Sequence, residues 1–294
     1  MKLGIIGMSE GNGHPYSWSA ICNGYDTAAM AECPFPVIPA YLAEQSWPAA
    51  RIPGVRVTHI WTQERAISEH IAAAARIPNI VDELTDLIGK IDAVLLARDD
   101  PEHHYAMARP FLAAGMPVYV DKPLATDRET ARKLYDIAGE GKLFSCSALR
   151  YTDELQLSEH DGQQIGDILS VDAVVPKSWE KYAVHVIEPA LQLLNNYSEA
   201  TKVKVFQSGG QRHVSYAFAN GQTLSIKTMG SISCPLELRV YGSRGHRTLR
   251  FTDAFTAFKA ALEAFVQQAT IGEPQIPKQQ TMAVVHLIEQ GLRS

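Results

Sequence analysis

The sequence predicts an α/β fold: a Rossmann-like, doubly wound parallel sheet, followed by a C-terminal α+β domain with a largely antiparallel sheet. Three observations predict it. A strand at residues 2–6 runs into a glycine-rich turn and a helix, apolar strands then alternate with helices up to residue 147, and beyond residue 150 strands follow one another directly. Alternation is typical of a parallel sheet covered on both faces, whereas successive strands joined by short turns favour antiparallel pairing.

The first strand ends in a turn, residues 7–13, that reads Gly-Met-Ser-Glu-Gly-Asn-Gly, and a helix is predicted over residues 15–23. Glycines let the backbone approach a pyrophosphate, and the N-terminus of the next helix favours negative charge. The spacing departs from Gly-x-Gly-x-x-Gly, so the turn alone leaves a cofactor site and an ordinary glycine-rich turn equally open. The candidate cofactor contacts in this segment are Gly7, Met8, Gly11, Gly13 and His14.

Residues 24–54 interrupt the alternation and carry five prolines. We interpret this segment as an insertion. Either it is a surface excursion packed by its own Phe35, Tyr41 and Trp47, or it covers the cofactor or forms an oligomer contact.

The alternation then resumes, with strands predicted at residues 55–61, 80–81, 93–97, 118–120 and 143–147 and helices at 64–75, 82–88, 102–114 and 127–139. Residues 93–97 are uniformly apolar, as expected for a parallel strand buried on both faces. Residues that follow such strands lie where open α/β sheets bind ligands. Further candidate cofactor contacts are therefore Thr62, Arg65, Ala97, Arg98, Asp99 and Asp121.

Lys122 is the strongest candidate for chemistry. In Asp121-Lys122-Pro123 it closes the strand at residues 118–120 and so lies at the carboxyl edge of the predicted sheet. Proline restricts the backbone directly after it. A lysine placed there can bind a cofactor or hold or protonate a substrate oxygen.

The second half contains strands predicted at residues 168–175, 203–207, 214–219, 223–228, 236–242 and 247–251, and helices at 179–196, 254–271 and 279–292. The pair Asn220-Gly221 favours a hairpin. We therefore divide the chain into a dinucleotide-binding domain, residues 1–148, and a substrate and oligomerisation domain, residues 149–294. The cleft expected between them is the predicted place of the chemistry.

The composition limits the classes of molecule that this protein is expected to bind. The chain has 294 residues, 46% of them hydrophobic and 20% charged, with a net charge of -5 and scattered basic residues. These values are typical of a globular protein with a small-molecule ligand and argue against nucleic acid or membrane partners. The four cysteines form no Cys-x-x-Cys pair, and no stretch approaches the ~20 apolar residues of a membrane span. We expect a cytoplasmic protein without a disulfide framework.

Four motifs together resemble the Gfo/Idh/MocA family, named for glucose-fructose oxidoreductase and inositol dehydrogenase. Asp121-Lys122-Pro123 resembles its Glu-Lys-Pro, and His104 resembles the histidine of Thr-Pro-Asn-x-x-His. Arg150-Tyr151 resembles the Arg-Phe at the domain junction, and His185 resembles the histidine of Asp-x-x-x-His-x-x-Asp. The resemblance covers nearly the whole chain.

The resemblance implies an NAD(P)-dependent oxidoreductase that transfers hydride between a nicotinamide and a hydroxyl carbon of a sugar or sugar derivative. Lys122 and His185 would then be the catalytic pair, and His104 a cofactor contact. It further implies a homodimer or homotetramer that assembles through the outer face of the second sheet. The substrate contacts it implies are Lys122, Arg150, Tyr151, Lys181, Tyr182 and His185.

The sequence departs from the family at three places, one of which is the missing glycine-rich approach to the helix of His185. Lys181 stands where the family has an aspartate one turn before the histidine, and Asp99-Asp100-Pro101 replaces Thr-Pro-Asn. A lysine cannot orient a histidine as a carboxylate does, which leaves Glu180 and Glu188 as alternative orienting groups. Lys181 becomes a third catalytic candidate and suggests an acidic substrate. Two alternatives stay open: a non-catalytic cofactor-binding regulatory module, and a hydrolase or lyase with tightly bound NAD.

The choice between NAD and NADP also stays open. No acidic residue stands directly at the tip of the strand that ends at Trp61. Thr62 with Arg65 would accept the 2'-phosphate of NADP, whereas Glu64 would suit the ribose of NAD. No metal site is expected, because His103 and His104 are adjacent on a helix and point in different directions.

Overall fold

The structure is a computed structural model that describes residues 1–293, and the chain forms two compact units. Unit 1 comprises Met1–Leu124, Arg132–Ser145 and Phe258–Ile276, and unit 2 comprises Ala125–Ala131, Cys146–Ala257 and the chain from Pro277 onward. After the second sheet, the chain therefore returns to unit 1. The predicted division after residue 148 does not include this return. Helical periodicity reveals that a helix has an apolar face, but not which sheet that face covers.

Unit 1 is built on a six-stranded parallel sheet, which confirms the predicted Rossmann-like fold. Its strands are β1 Lys2–Ile6, β2 Arg56–Trp61, β3 Asn79–Ile80, β4 Ala93–Leu96, β5 Val118–Val120 and β6 Leu143–Phe144, in the order β3-β2-β1-β4-β5-β6. Ile6 pairs with Trp61 on one side and with Leu96 on the other, and Leu96 pairs with Val120. The segments that follow these four strands therefore leave the sheet at one edge.

The first helices of the chain are α1 His14–Asn23, α2 Thr27–Ala31, α3 Val37–Ala43, α4 Arg65–Ala74, α5 Pro101–Ala113 and α6 Arg128–Ile137. The helix predicted over residues 82–88 is a short 3-10 helix, Leu84–Leu87. The proline-rich insertion contains α2 and α3, which the sequence analysis did not assign. Asp26 caps α2 by accepting hydrogen bonds from two amides, and Pro36 stands directly before α3. Pro36 therefore stands at the N-terminal end of α3 and Pro39 in its first turn, where proline is tolerated.

Unit 2 is built on a second six-stranded sheet in the order β12-β11-β7-β10-β9-β8. Its strands are β7 Ile168–Val175, β8 Ala200–Ser208, β9 Gln211–Phe218, β10 Thr223–Thr228, β11 Glu237–Gly242 and β12 His246–Arg250. Only the pair β7–β10 is parallel among the described strands of this sheet. The predicted largely antiparallel sheet is therefore confirmed.

The remaining helices are α7 Glu159–Ile165, α8 Trp179–Tyr182, α9 Val184–Leu194, α10 Ala254–Ile271 and α11 Lys278–Leu292. The single helix predicted over residues 179–196 is thus two helices, α8 and α9. They meet at Ala183, where the Val186 amide donates to the carbonyl three residues back, so the helix tightens there. Within residues 1–293, every helix is too short or too polar to span a bilayer.

Helix α10 completes the aromatic core of unit 1. Its Phe265 is fully buried, with ring centroids 5.6 Å from Tyr119 and 5.8 Å from Phe144. Three residues further along, the Gln268 side-chain amide donates to the carbonyl of Leu143 at 2.9 Å. This helix is therefore held in unit 1 by both apolar and polar contacts.

Candidate active site

Lys122 lies in a buried cluster at the carboxyl edge of the first sheet, where the segments after β1, β4 and β5 meet. Its Nζ is 3.5 Å from Oδ2 of Asp99, and both side chains are less than a tenth exposed. Ser9 donates a 2.7 Å hydrogen bond to Oδ1 of Asp99, and its Oγ accepts the Asp99 amide at 3.0 Å. Buried charges require partners, so Asp99 is the counter-ion that allows Lys122 to be a buried cation.

Asp121, which directly follows β5, contacts the glycine turn that follows β1. Its Oδ2 accepts from the side-chain Nδ2 of Asn12 at 2.9 Å and lies 2.6 Å from Nδ1 of His14, while Oδ1 accepts from the Lys122 main-chain amide at 2.8 Å. The His14 ring also stacks on Trp18, at 5.0 Å between centroids. The sequence analysis missed Ser9 and Asn12, because neither belongs to the glycine pattern. Their only signal was their place in the loop that leaves β1.

The glycines of the turn have different roles. Gly11 has a φ of +76°, and a Cβ there would meet nothing within 4 Å, which suits close approach of a ligand. A Cβ at Gly13 would collide with Phe35 and Ile38 of the insertion, so this glycine is required for packing. Within residues 1–293 the amides of Gly11 and Gly13 donate no hydrogen bond.

Met8 is held differently from these glycines. Its amide donates to the side-chain oxygen of Gln63 at 2.8 Å, and its carbonyl accepts from the side-chain nitrogen of Gln63 at 2.7 Å. Gly7 lies beside Pro15, which a Cβ would strike. The cofactor contacts predicted for Gly7, Met8, Gly11 and Gly13 stay predictions.

The residues after β2 are engaged within the protein. Thr62 is buried, and its hydroxyl donates to the Glu64 carbonyl at 2.7 Å. Arg65 is more than half exposed and pairs with Glu69 and Asp82. The roles predicted for Thr62 and Arg65 at a cofactor ribose stay predictions.

Arg98 and His104 fix the segments around Lys122. Arg98 is buried, donates to both carboxylate oxygens of Asp100, and reaches the Met8 carbonyl at 3.2 Å. His104 is fully buried, with Nε2 2.8 Å from the Arg98 carbonyl and Nδ1 3.1 Å from the Leu124 carbonyl. Both ring nitrogens of His104 thus face main-chain carbonyls. His104 would therefore act on a cofactor by holding the segments of Arg98 and Leu124 in place.

Two further features adjoin this edge. Ala97 is fully buried and its amide donates to the Ile6 carbonyl at 2.8 Å, which continues the sheet. Within residues 1–293, one group of three possible metal ligands occurs: Asp100, Glu102 and His103. Two of the three are exposed, and Asp100 is already paired with Arg98.

In unit 2, His185 is held by Ser147. Nδ1 of His185, on α9, lies 2.8 Å from Oγ of Ser147, which is fully buried. The Tyr182 ring packs edge-on against the His185 ring at 5.1 Å. Glu188, one of the predicted orienting groups, contacts Ser147: its Oε1 accepts a hydrogen bond from the Ser147 amide at 3.0 Å. Its effect on the histidine would therefore pass through Ser147. Ser147 was missed, since a single serine 38 residues from the histidine has no sequence signal.

Arg150 and Glu188 form a second buried pair beside this histidine. Nη1 of Arg150 is 3.9 Å from Oε2 of Glu188, and Arg150 also donates to Gln280. The neighbouring Tyr151 hydroxyl is buried and has no hydrogen-bond partner within the described residues. Lys181 lies on α8, in the turn before His185. The substrate roles predicted for Arg150, Tyr151, Lys181 and Tyr182 stay predictions.

Burial raises the pKa of Glu188 from 4.5 to about 7, although Arg150 and the Ser147 amide oppose this shift. The folded state then holds this proton more tightly than the unfolded chain does. The contribution of Glu188 to stability is therefore full below about pH 4.5 and is lost as pH rises towards 7, a loss on the order of 3 kcal/mol.

Glu188→Gln is expected to remove this loss and flatten the pH dependence of stability between pH 5 and about 7. The measurement is the free energy of unfolding by urea at several pH values. Glu199→Gln, at an exposed glutamate of the same unit, controls for removing one carboxylate. A slope equal to wild type in Glu188→Gln would contradict the assignment.

Comparisons with known proteins agree with this architecture. Residues 37–146 match GFO_IDH_MocA, an oxidoreductase family with an NAD-binding Rossmann fold. This match confirms the family resemblance predicted from the motifs. The protein YceM of Salmonella typhimurium is 37% identical over 83 residues, which make up 28% of this chain and 26% of that protein. The chain thus matches about a quarter of that relative's length.

Solved structures are similar over nearly the whole chain. Myo-inositol 2-dehydrogenase from Lactobacillus plantarum has a TM-score of 0.76 at 14% identity, covering 98% of this chain and 95% of that one. Myo-inositol dehydrogenase from Lactobacillus casei, in complex with NAD(H) and myo-inositol, has a TM-score of 0.74 at 15% identity, covering 98% and 92%. At these identities the similarity concerns the fold, and it supports the predicted two-domain architecture.

Proposed function

We propose that this chain, a member of the Gfo/Idh/MocA oxidoreductase family by its NAD-binding Rossmann domain, oxidises a hydroxyl carbon of a sugar, a cyclitol or a related compound. The observation that carries the proposal is the buried pair of Lys122 and Asp99 at the edge where open α/β sheets bind ligands. Neighbours in structure that act on myo-inositol support the substrate class. Lys122 and His185 are assigned to the reacting hydroxyl.

Lys122 holds the oxygen of that hydroxyl in this proposal. An ammonium group has three N–H donors, so it can bind a substrate oxygen while it stays paired with Asp99. Negative charge grows on this oxygen as its proton leaves, and a fixed cation in a water-poor site stabilises that charge strongly. Asp99 and Ser9 keep the ammonium in place.

His185 takes the proton. With Nδ1 engaged by Ser147, Nε2 is the nitrogen assigned to the substrate hydroxyl. An imidazole is suited to this role because its ordinary pKa lies near neutral pH. Lys181 is assigned to an acidic group elsewhere on the substrate, such as a carboxylate or phosphate.

The cofactor is proposed to be NAD or NADP, held at its pyrophosphate by the amides of Gly11 and Gly13. When bound, the dinucleotide supplies the hydride acceptor for the oxidation. An NADP 2'-phosphate would require Arg65, whereas the ribose of NAD would use Glu64.

The test is a fluorescence titration with NADH and with NADPH, followed by absorbance of the reduced nicotinamide with a panel of polyols, sugars and sugar acids. Binding with turnover supports the proposal. Binding without turnover contradicts the oxidoreductase activity and favours the regulatory or tightly-bound-NAD alternatives. Absence of binding contradicts all three.

Gly11→Ala is expected to weaken NADH binding about tenfold or more, because the added methyl group strains a positive φ where the pyrophosphate approaches. Gly54→Ala is the matched control: its φ is +72° and a Cβ there also meets nothing within 4 Å, but it precedes β2. Both variants carry similar strain. Equal weakening in the two would contradict the placement of the cofactor at Gly11.

A further inference from the structure

We propose that Ser147 is the positioning residue of His185, so that a neutral hydroxyl performs the orienting role in this chain. The inference rests on the proposed function for its catalytic meaning. Its structural basis is the 2.8 Å contact between Ser147 Oγ and His185 Nδ1.

Three hydrogen bonds fix Ser147. Besides the histidine contact, its Oγ accepts the Leu149 amide at 3.2 Å, and its own amide donates to Glu188 Oε1 at 3.0 Å. Ser147 is fully buried, directly before the 3-10 helix Ala148–Tyr151. The hydroxyl therefore has a defined position, from which it can hold the imidazole plane.

The other candidate orienting groups either contact different residues or cannot accept a hydrogen bond. Lys181 carries an ammonium, which has no acceptor for an Nδ1 proton. Glu188, one turn after His185, is directed to the Ser147 amide and to Arg150. Ser147 is thus a group in described contact with Nδ1 that is able to accept a hydrogen bond from Nδ1–H.

A serine hydroxyl suits a histidine that gains and loses a proton. When Nδ1–H donates to Oγ, Nε2 is left as the acceptor for the substrate proton. After that proton arrives, the ring is an imidazolium and the same Nδ1–H bond persists. The orientation of the ring is therefore kept through the reaction, and no carboxylate charge is added next to it.

The test compares Ser147→Ala and Ser147→Thr in protein labelled with ¹⁵N-histidine, with His185→Gln used to assign the signals. In wild type we expect the ¹⁵N shifts of the tautomer protonated at Nδ1. Ser147→Ala is expected to move them towards the Nε2-protonated tautomer and to lower kcat on the order of tenfold, with KM little changed. Ser147→Thr keeps the hydroxyl and is expected to restore the shifts and most of kcat.

Ser225→Ala is the matched control, because it removes a similar contact, 2.7 Å from Ser225 Oγ to His213 Nε2, on the sheet of the same unit. It should leave the His185 signals and kcat unchanged. Unchanged His185 shifts in a folded Ser147→Ala protein would overturn the inference. Altered shifts in a protein that turns over no substrate would support the link between Ser147 and His185 while the proposed function failed.

Discussion

Replacing Lys122 by methionine is expected to lower kcat by a factor of about 100 or more. Methionine keeps much of the apolar stem of the lysine but cannot donate to the reacting oxygen. The measurement is steady-state reduction of the cofactor with the best substrate of the panel, together with NADH affinity, which should be retained. Loss of rate with binding retained would place Lys122 at the chemistry.

The single variant also leaves the Asp99 carboxylate buried without its cation, which typically costs about 3–5 kcal/mol of stability. The double variant Lys122→Met with Asp99→Asn removes both charges. It should regain thermal stability without regaining activity, because the asparagine can still accept the hydrogen bond from Ser9. A folded Lys122→Met protein with wild-type kcat would contradict the role of the lysine.

Replacing His185 by glutamine is expected to lower kcat about 100- to 10,000-fold, the range in which general bases contribute. Glutamine can still form a hydrogen bond, but it cannot take a proton near neutral pH. The measurement is kcat as a function of pH, in which the variant should lose the limb that reports this base.

His213→Gln is the control for this variant. His213 lies on β9 in the same unit and also contacts a serine hydroxyl, but no role in the reaction is assigned to it. It should keep the wild-type pH profile. A wild-type profile in His185→Gln would assign the base to another group.

The fold and the edge of the sheet could be predicted because their signals are local. The apolar run of β4 and the lysine after β5 each lie within a few consecutive residues. The partners of those residues could not be predicted in the same way. Ser9 reaches Asp99 across 90 positions, and Ser147 reaches His185 across 38, so only the folded chain brings these hydrogen-bonding groups together.

The glycine turn illustrates the same limit. Its spacing does not reveal that Phe35 and Ile38 pack against Gly13. Likewise, the interruption of the helix at Ala183 leaves no mark in the apolar periodicity of residues 179–196. The packing at Gly13 depends on tertiary contacts, which sequence patterns do not encode.

The return of α10 to unit 1 determines the order in which the protein can mature during synthesis. The ribosome releases the chain from its N-terminus, yet Tyr119 and Phe144 gain their partner Phe265 only after the second sheet has been made. The nascent dinucleotide-binding unit must therefore wait with part of its aromatic core uncovered. Exposed apolar surface of this kind is what chaperones bind, and a gene fragment that ends at residue 148 would keep that surface exposed permanently.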